Sequence, residues 1–274
     1  MKKPPKRPLP GARRRNVGAA GFAAATIAGL SLVSGGLSAQ GTGTTQPATT
    51  SSATAASGPH ATKGQVVAQS LGDAPAVFPA DGSCSVDGDR GDALLNDQKN
   101  RFRVPAAADI NPGVKTPDDG FALPVPPGAN GQQRSVWPHG DAGQIAAIEG
   151  TAATIEGFIV DVIAEKNGAG ESSNCHSVAD GRYDFHIFVA DDKTKGKDEA
   201  MVVEMTPRWQ SINKSWGANI LAAKKEKPRV RVTGWLMFDE EHINMVGTAR
   251  GTVWELHPVT KIEKQAANGS FAPL

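Results

Sequence analysis

From residue 150 onward, apolar and polar positions recur with clear periods. "GTAATIEGFIVDVIAEK" (150–166) is a long β-rich run, and Gly157 within it marks a bulge or sharp bend. "RYDFHIFVA" (182–190) alternates, with Tyr183, Phe185, Ile187 and Val189 on one face. "AMVVEM" (200–205) reads as a third strand. The period then changes. In "TPRWQSINKSWGANILAAKKEK" (206–227), Trp209, Ile212, Trp216 and Ile220 recur at helical spacing, with Thr206 as N-cap, Pro207 in the first turn and Pro228 ending the helix. "RVRVTGWLMF" (229–238) and "TVWELHPVTKI" (252–262) return to strand. Three strands, a helix and two strands form the element order of an oligomer-binding (OB) barrel. The predicted fold is mainly β: a small five-stranded OB-like barrel over 146–264, with one helix between strands 3 and 4 and a flexible tail over 265–274.

The chain before 146 is irregular. "GDALLNDQKNRF" predicts a short helix that docks Leu94, Leu95 and Phe102 on the barrel. The Pro- and Gly-rich "ADINPGVKTPDDGFALPVPPGANGQQ" has no period and is expected to wrap the domain as extended chain. Residues 73–145 are therefore assigned as an irregular extension. "DGDRGD" (87–92) lacks the glycine and glutamate of a calcium loop and reads as a solvated turn. Residues 40–72 are a Ser/Thr/Ala/Gly tract with too few large apolar residues to offset chain entropy, and read as a disordered linker.

The amino terminus changes the compartment. Residues 1–15 hold seven basic residues and no acid; an uncharged apolar run follows, then "GLSAQ" with small residues suited to cleavage. Residues 1–39 thus read as a signal peptide, and Arg14–Arg15 suits the twin-arginine type. The alternative is a membrane anchor through residues 17–33. Losing the signal removes those seven charges: 29 Lys and Arg less seven leave 22 against 28 acids, a net charge of −6. An acidic, periplasmic or extracellular domain argues against non-specific nucleic-acid binding. The two cysteines, Cys84 and Cys175, read first as one disulfide in such a compartment; the alternative makes Cys175–His176 a metal-ligating pair.

The candidate chemistry lies in polar residues within apolar strands. Asp184 and His186 share one strand face, and Glu255 and His257 share another. His176 and His242 lie in loops. Imidazole with carboxylate suits zinc or another divalent transition metal, with His186 and His257 as first-choice ligands and His176, Asp184, His242 and Glu255 completing the candidate set. A Glu–His pair equally suits proton transfer, and a buried hydrogen-bonded network is the structural alternative. The predicted setting is a polar rim shared by the two pairs. No HExxH, CxxC, GxSxG or P-loop motif is present. Trp235 and Trp254 read as core.

The series "LLNDQKNR", "ESSNCH", "YDFHI", "VVEMTPR", "VRVTGWLMFDEEH" and "WELHPVTKIE", spanning about 82–264, resembles a family of exported bacterial proteins with a W-E-I-H-P-V ending; Leu256 replaces its isoleucine. That family has no established activity, so the resemblance implies a compact secreted domain and marks the same polar residues without giving a reaction. The expected function is a binding or structural module for an envelope protein, saccharide or peptide. The alternative is a metal-binding protein or metal-dependent hydrolase.

Overall fold

The computed structural model describes residues 84–129, 134–166, 171–179 and 181–274. The expected signal peptide, the linker and the start of the extension lie outside the described residues, as does the side chain of Leu94.

Five strands close a mixed barrel: β1 (Ala152–Ala164), β2 (Phe185–Ala190), β3 (Met201–Met205), β4 (Arg229–Phe238) and β5 (Trp254–Gln265). β1 serves two neighbours. Its first half pairs antiparallel with β4 and its second half with β2, the exchange falling at Phe158. The bulge lies between Ile159 and Asp161, just beyond Gly157. Gly157 has its own role: a Cβ there would come within 2.6 Å of the Ala190 carbonyl oxygen, so only glycine lets β2 approach this closely. Parallel pairing of β3 with β5, Val202 opposite Glu255 and Val203 opposite Leu256, completes the closure.

The apolar positions of β5 depart from strict alternation because its ladder with β4 is irregular. Leu236 pairs with Leu256 and Gly234 with Val259, so Trp235 alone faces two residues. The extra residue turns Leu256 and Val259 to the same core, alongside Ile155, Phe185, Val203 and Trp254. Glu255 and His257 point to the outer face of the sheet.

The expected helix between β3 and β4 is present but broken into two, Pro207–Ile212 and Trp216–Glu226. In chain order the helices are α1 (Ala93–Lys99), α2 (Pro117–Phe121), α3 (His139–Ala146), α4 (Pro207–Ile212) and α5 (Trp216–Glu226). The interruption between α4 and α5 leaves Ile212 exposed while Trp209, Trp216 and Ile220 are buried. Thr206 occupies the N-cap of α4, yet its hydroxyl makes no cap bond.

The extension is more ordered than expected. Leu95 is buried, and Phe102 packs on Trp209 with ring centroids 4.8 Å apart. Thr116 and Asp119 form a reciprocal capping box at the start of α2. Val114, Ala129, Trp137 and Ile145 enter the main core, and α3 crosses the expected boundary at 145/146. Trp254 is core, as expected. Trp235 is equally buried, but it lies under the extension, between the guanidinium groups of Arg101 and Arg103. The expected flexible tail is corrected as well: β6 (Phe271–Pro273) pairs antiparallel with β5, and the Leu274 amide donates to the Ile262 carbonyl.

Candidate functional site

Side chains on a strand alternate, so the core-facing residues of β2, β3 and β5 leave His186, Glu204, Glu255 and His257 together on the outer face. The barrel closure joins them. His257 Nδ1 is 3.0 Å from Glu204 Oε2 and 3.1 Å from Glu255 Oε1. His186 Nε2 is 3.0 Å from Glu204 Oε1, and its Nδ1 is 3.4 Å from Glu165. Glu204 thus stands between the two histidines.

Other elements cover this face. α1 packs against β5 and against the short 3-10 turn Ser172–Asn174 in the β1–β2 loop. Lys99 of α1 bonds Glu171 at 2.7 Å, and Asn174 donates to Asp184. In the β4–β5 loop, Arg250 holds Asp239 at 2.5 Å and lies 3.3 Å from Glu255, while Asp239 accepts from His242 Nδ1–H at 2.7 Å. The expected polar rim is therefore corrected: Asp184, Glu255 and His257 are each 1% exposed. The lid of helix and loops, invisible in strand periodicity, buries them.

The electrostatics follow from that crowding. Burial, then repulsion by Glu171 and Glu204, pushes the Asp184 carboxyl well above its usual range. Burial, with repulsion by Glu204 and Asp239, raises Glu255 to about 7. Burial alone would lower both imidazoles, but the neighbouring Glu204 outweighs it, raising His186 to about 9 and His257 to about 10. Glu204 is held well below the usual carboxylate range, the two imidazoles overcoming its burial.

Two triads of possible metal ligands emerge, each with its ligand atoms within 4.8 Å of one another: Glu171–His186–Glu204 and Asp184–Glu204–His257. They share Glu204. Several buried atoms of the cluster lack a hydrogen-bond partner among the described residues: Asp184 Oδ1, Glu204 Oε2, Glu255 Oε2, His186 Nε2 and His257 Nε2. Of these, Glu204 Oε2, Glu255 Oε2 and His186 Nε2 are met by ion pairs with His257, Arg250 and Glu204, which leaves Asp184 Oδ1 and His257 Nε2 without either kind of partner among the described residues.

Above the first triad opens a cleft of about 340 Å³ between the β1–β2 and β4–β5 loops. Its walls include Glu171, His186, Phe188, Lys197, His242 and Arg250. The outer face of strands 2 and 3 between these loops is where OB barrels characteristically bind ligands.

The structure brings together Asp184, His186, Glu255 and His257. His242 belongs to the cleft wall and to neither triad. His176 is apart from them, with Nε2 3.1 Å from Asp89. Cys84 and Cys175 form a disulfide, so Cys175 is not a metal ligand. The sequence reading missed Glu204, Glu171, Asp239 and Arg250. Glu204 carried a usable signal, an acid inside the apolar run "AMVVEM", of the same kind that marks Glu255.

Comparison of the chain with protein-family models, curated proteins and solved structures gives no match.

Proposed function

We propose that this is an exported metal-binding domain whose centre is the Glu204-linked cluster, with Glu171, His186, Asp184 and His257 as the other ligands. The carrying observation is the convergence of ligand atoms from Asp184, Glu204 and His257, in a triad where two buried atoms, Asp184 Oδ1 and His257 Nε2, have neither a hydrogen bond nor an ion pair among the described residues. A finished structural network pairs its buried polar atoms, because an orphan costs about 1–3 kcal/mol. This cluster leaves those two unpaired in a triad whose imidazole and carboxylate atoms already converge. A divalent ion bonded to those atoms would satisfy them and offset the concentration of acids. The donor set suits zinc or a similar transition ion.

Export is supported by the disulfide and by the sequence of residues 1–39. No helix among the described residues is long and apolar enough to cross a membrane.

The test is thermal unfolding of the full chain with zinc and with chelator. An ion that binds only the folded state stabilises it by about 2.7 kcal/mol at one hundred times its dissociation constant. Chelation should lower Tm by several degrees and zinc should restore it. Identical melting curves would refute the reading.

A second reading, recognition of a small saccharide or peptide, rests on the cleft itself. Its polar and apolar walls and its place on the barrel suit a small ligand.

A further inference from the structure

The cleft contains a group that metal binding does not use. His242 lines its wall, and its imidazole is only partly buried, with 28% of the side chain exposed. Asp239 fixes the ring through Nδ1 at 2.7 Å, and Arg250 fixes Asp239 in turn. The arrangement leaves Nε2 for the cleft. An imidazole oriented by a buried carboxylate, beside a site able to hold a divalent ion, has the parts needed for proton transfer during hydrolysis.

The wall chemistry selects the substrate class. Lys197 supplies positive charge, its ammonium lying 5.4 Å from the Phe188 ring centroid, while the Arg250 guanidinium in the wall is paired with Asp239 and Glu255. Of the acids in the wall, Glu171 is paired with Lys99 and would be a ligand of the ion, and Glu165 lies 3.4 Å from His186 Nδ1. An oxyanion in the cleft meets Lys197 and His242 beside the site able to hold a divalent ion, and a phosphoryl group matches these partners. The volume admits a small molecule, and the net acidity of the chain without residues 1–39 disfavours a nucleic-acid polymer.

We propose that the cleft hydrolyses a small phosphate ester, with His242 as the proton-transfer residue. The inference rests on the metal-binding reading. A cleft water gives its proton to His242 Nε2 as its oxygen bonds to phosphorus. The phosphorus–oxygen bond to the alcohol breaks, and the departing oxygen, keeping the electron pair, takes the proton from His242. Water and ester thus yield phosphate and alcohol, and His242 returns to its starting form. A bound divalent ion would supply charge stabilisation for the phosphoryl oxygens.

The experiment uses the full chain, stripped by chelator and reloaded with zinc or manganese, alongside His242→Gln. Metal content, melting temperature and hydrolysis of p-nitrophenyl phosphate and bis(p-nitrophenyl) phosphate are measured on the same samples. Inorganic phosphate is also titrated while the His242 ring resonances are followed by NMR. The loaded chain should hydrolyse at least one probe, and phosphate should shift the His242 resonances. His242→Gln should retain its ion and fold while kcat falls by about 100-fold or more. An ion-loaded chain that cleaves neither probe, or a variant as active as wild type, overturns this inference and leaves metal binding standing. Unmoved His242 resonances on phosphate addition also overturn it. A chain that takes up no ion brings down both readings.

Discussion

His257 Nδ1 lies 3.0 Å from Glu204 Oε2 across the seam where β3 and β5 pair in parallel and close the barrel. The contact is both architectural and chemical. It places an imidazole against a carboxylate that another imidazole, His186, flanks on its other oxygen. The same closure that completes the core on the inner face assembles the candidate metal centre on the outer face.

A second buried charge cluster provides a test of stability separate from the site. Arg134 bonds Glu149, both oxygens of Glu240 and the Phe238 carbonyl. Arg134→Ala would leave two carboxylates buried without their cation, at a cost of about 3–5 kcal/mol. Urea denaturation should show that loss; a change below about 1 kcal/mol would contradict the assignment.

Asp97 gives a pH dependence with a definite sign. Burial, then the neighbouring Asp87 carboxyl, raises it from 3.8 to about 6. A raised carboxyl pKa means that the folded state holds the proton more tightly. Its relative stabilising effect is present below the unfolded pKa of 3.8 and is lost as pH rises to about 6. Asp97→Asn should therefore be more stable than wild type at pH 7, by about 1 kcal/mol after allowing for solvent screening. The difference should shrink toward pH 4. Equal stability of the two proteins at pH 7 would count against the Asp87–Asp97 coupling.

The disulfide closes a loop with a sequence separation of 91 and anchors the turn that carries Asn174 and follows Glu171. Replacing both cysteines by serine should cost about 4.6 kcal/mol in the chain-entropy model. Amide exchange over residues 171–176 should accelerate as the lid loosens. Unchanged exchange there would show that Lys99, bonded to Glu171, and Asn100, whose Nδ2 donates to the Ser173 carbonyl at 2.8 Å, hold the loop without the covalent tie.

The sequence made much of this frame legible, for identifiable reasons. Strand order followed from period-two runs, and the disulfide from an even pair of cysteines in a chain with a signal-like start. Asp184–His186 and Glu255–His257 stood out because polar residues interrupt apolar strands. Their burial did not show, since it depends on α1 and on a loop folding back over the sheet. Glu171 lies in a polar loop and has no local pattern to mark it. The parallel contact of β3 with β5 joins residues about fifty positions apart, so nothing local could announce that Glu204 meets His257. The β4–β5 bulge similarly obscured why Leu256 and Val259 share the core.

The most direct test of the metal centre is native mass spectrometry of the full chain and of Glu204→Gln, each produced in an oxidising compartment and loaded with zinc. Glutamine keeps the shape of Glu204 while removing the charge shared by both triads. Wild type should carry one or two ions that chelator removes, and Glu204→Gln should carry fewer or none. A wild-type mass without metal after loading, or a variant that retains the full complement, would contradict the account.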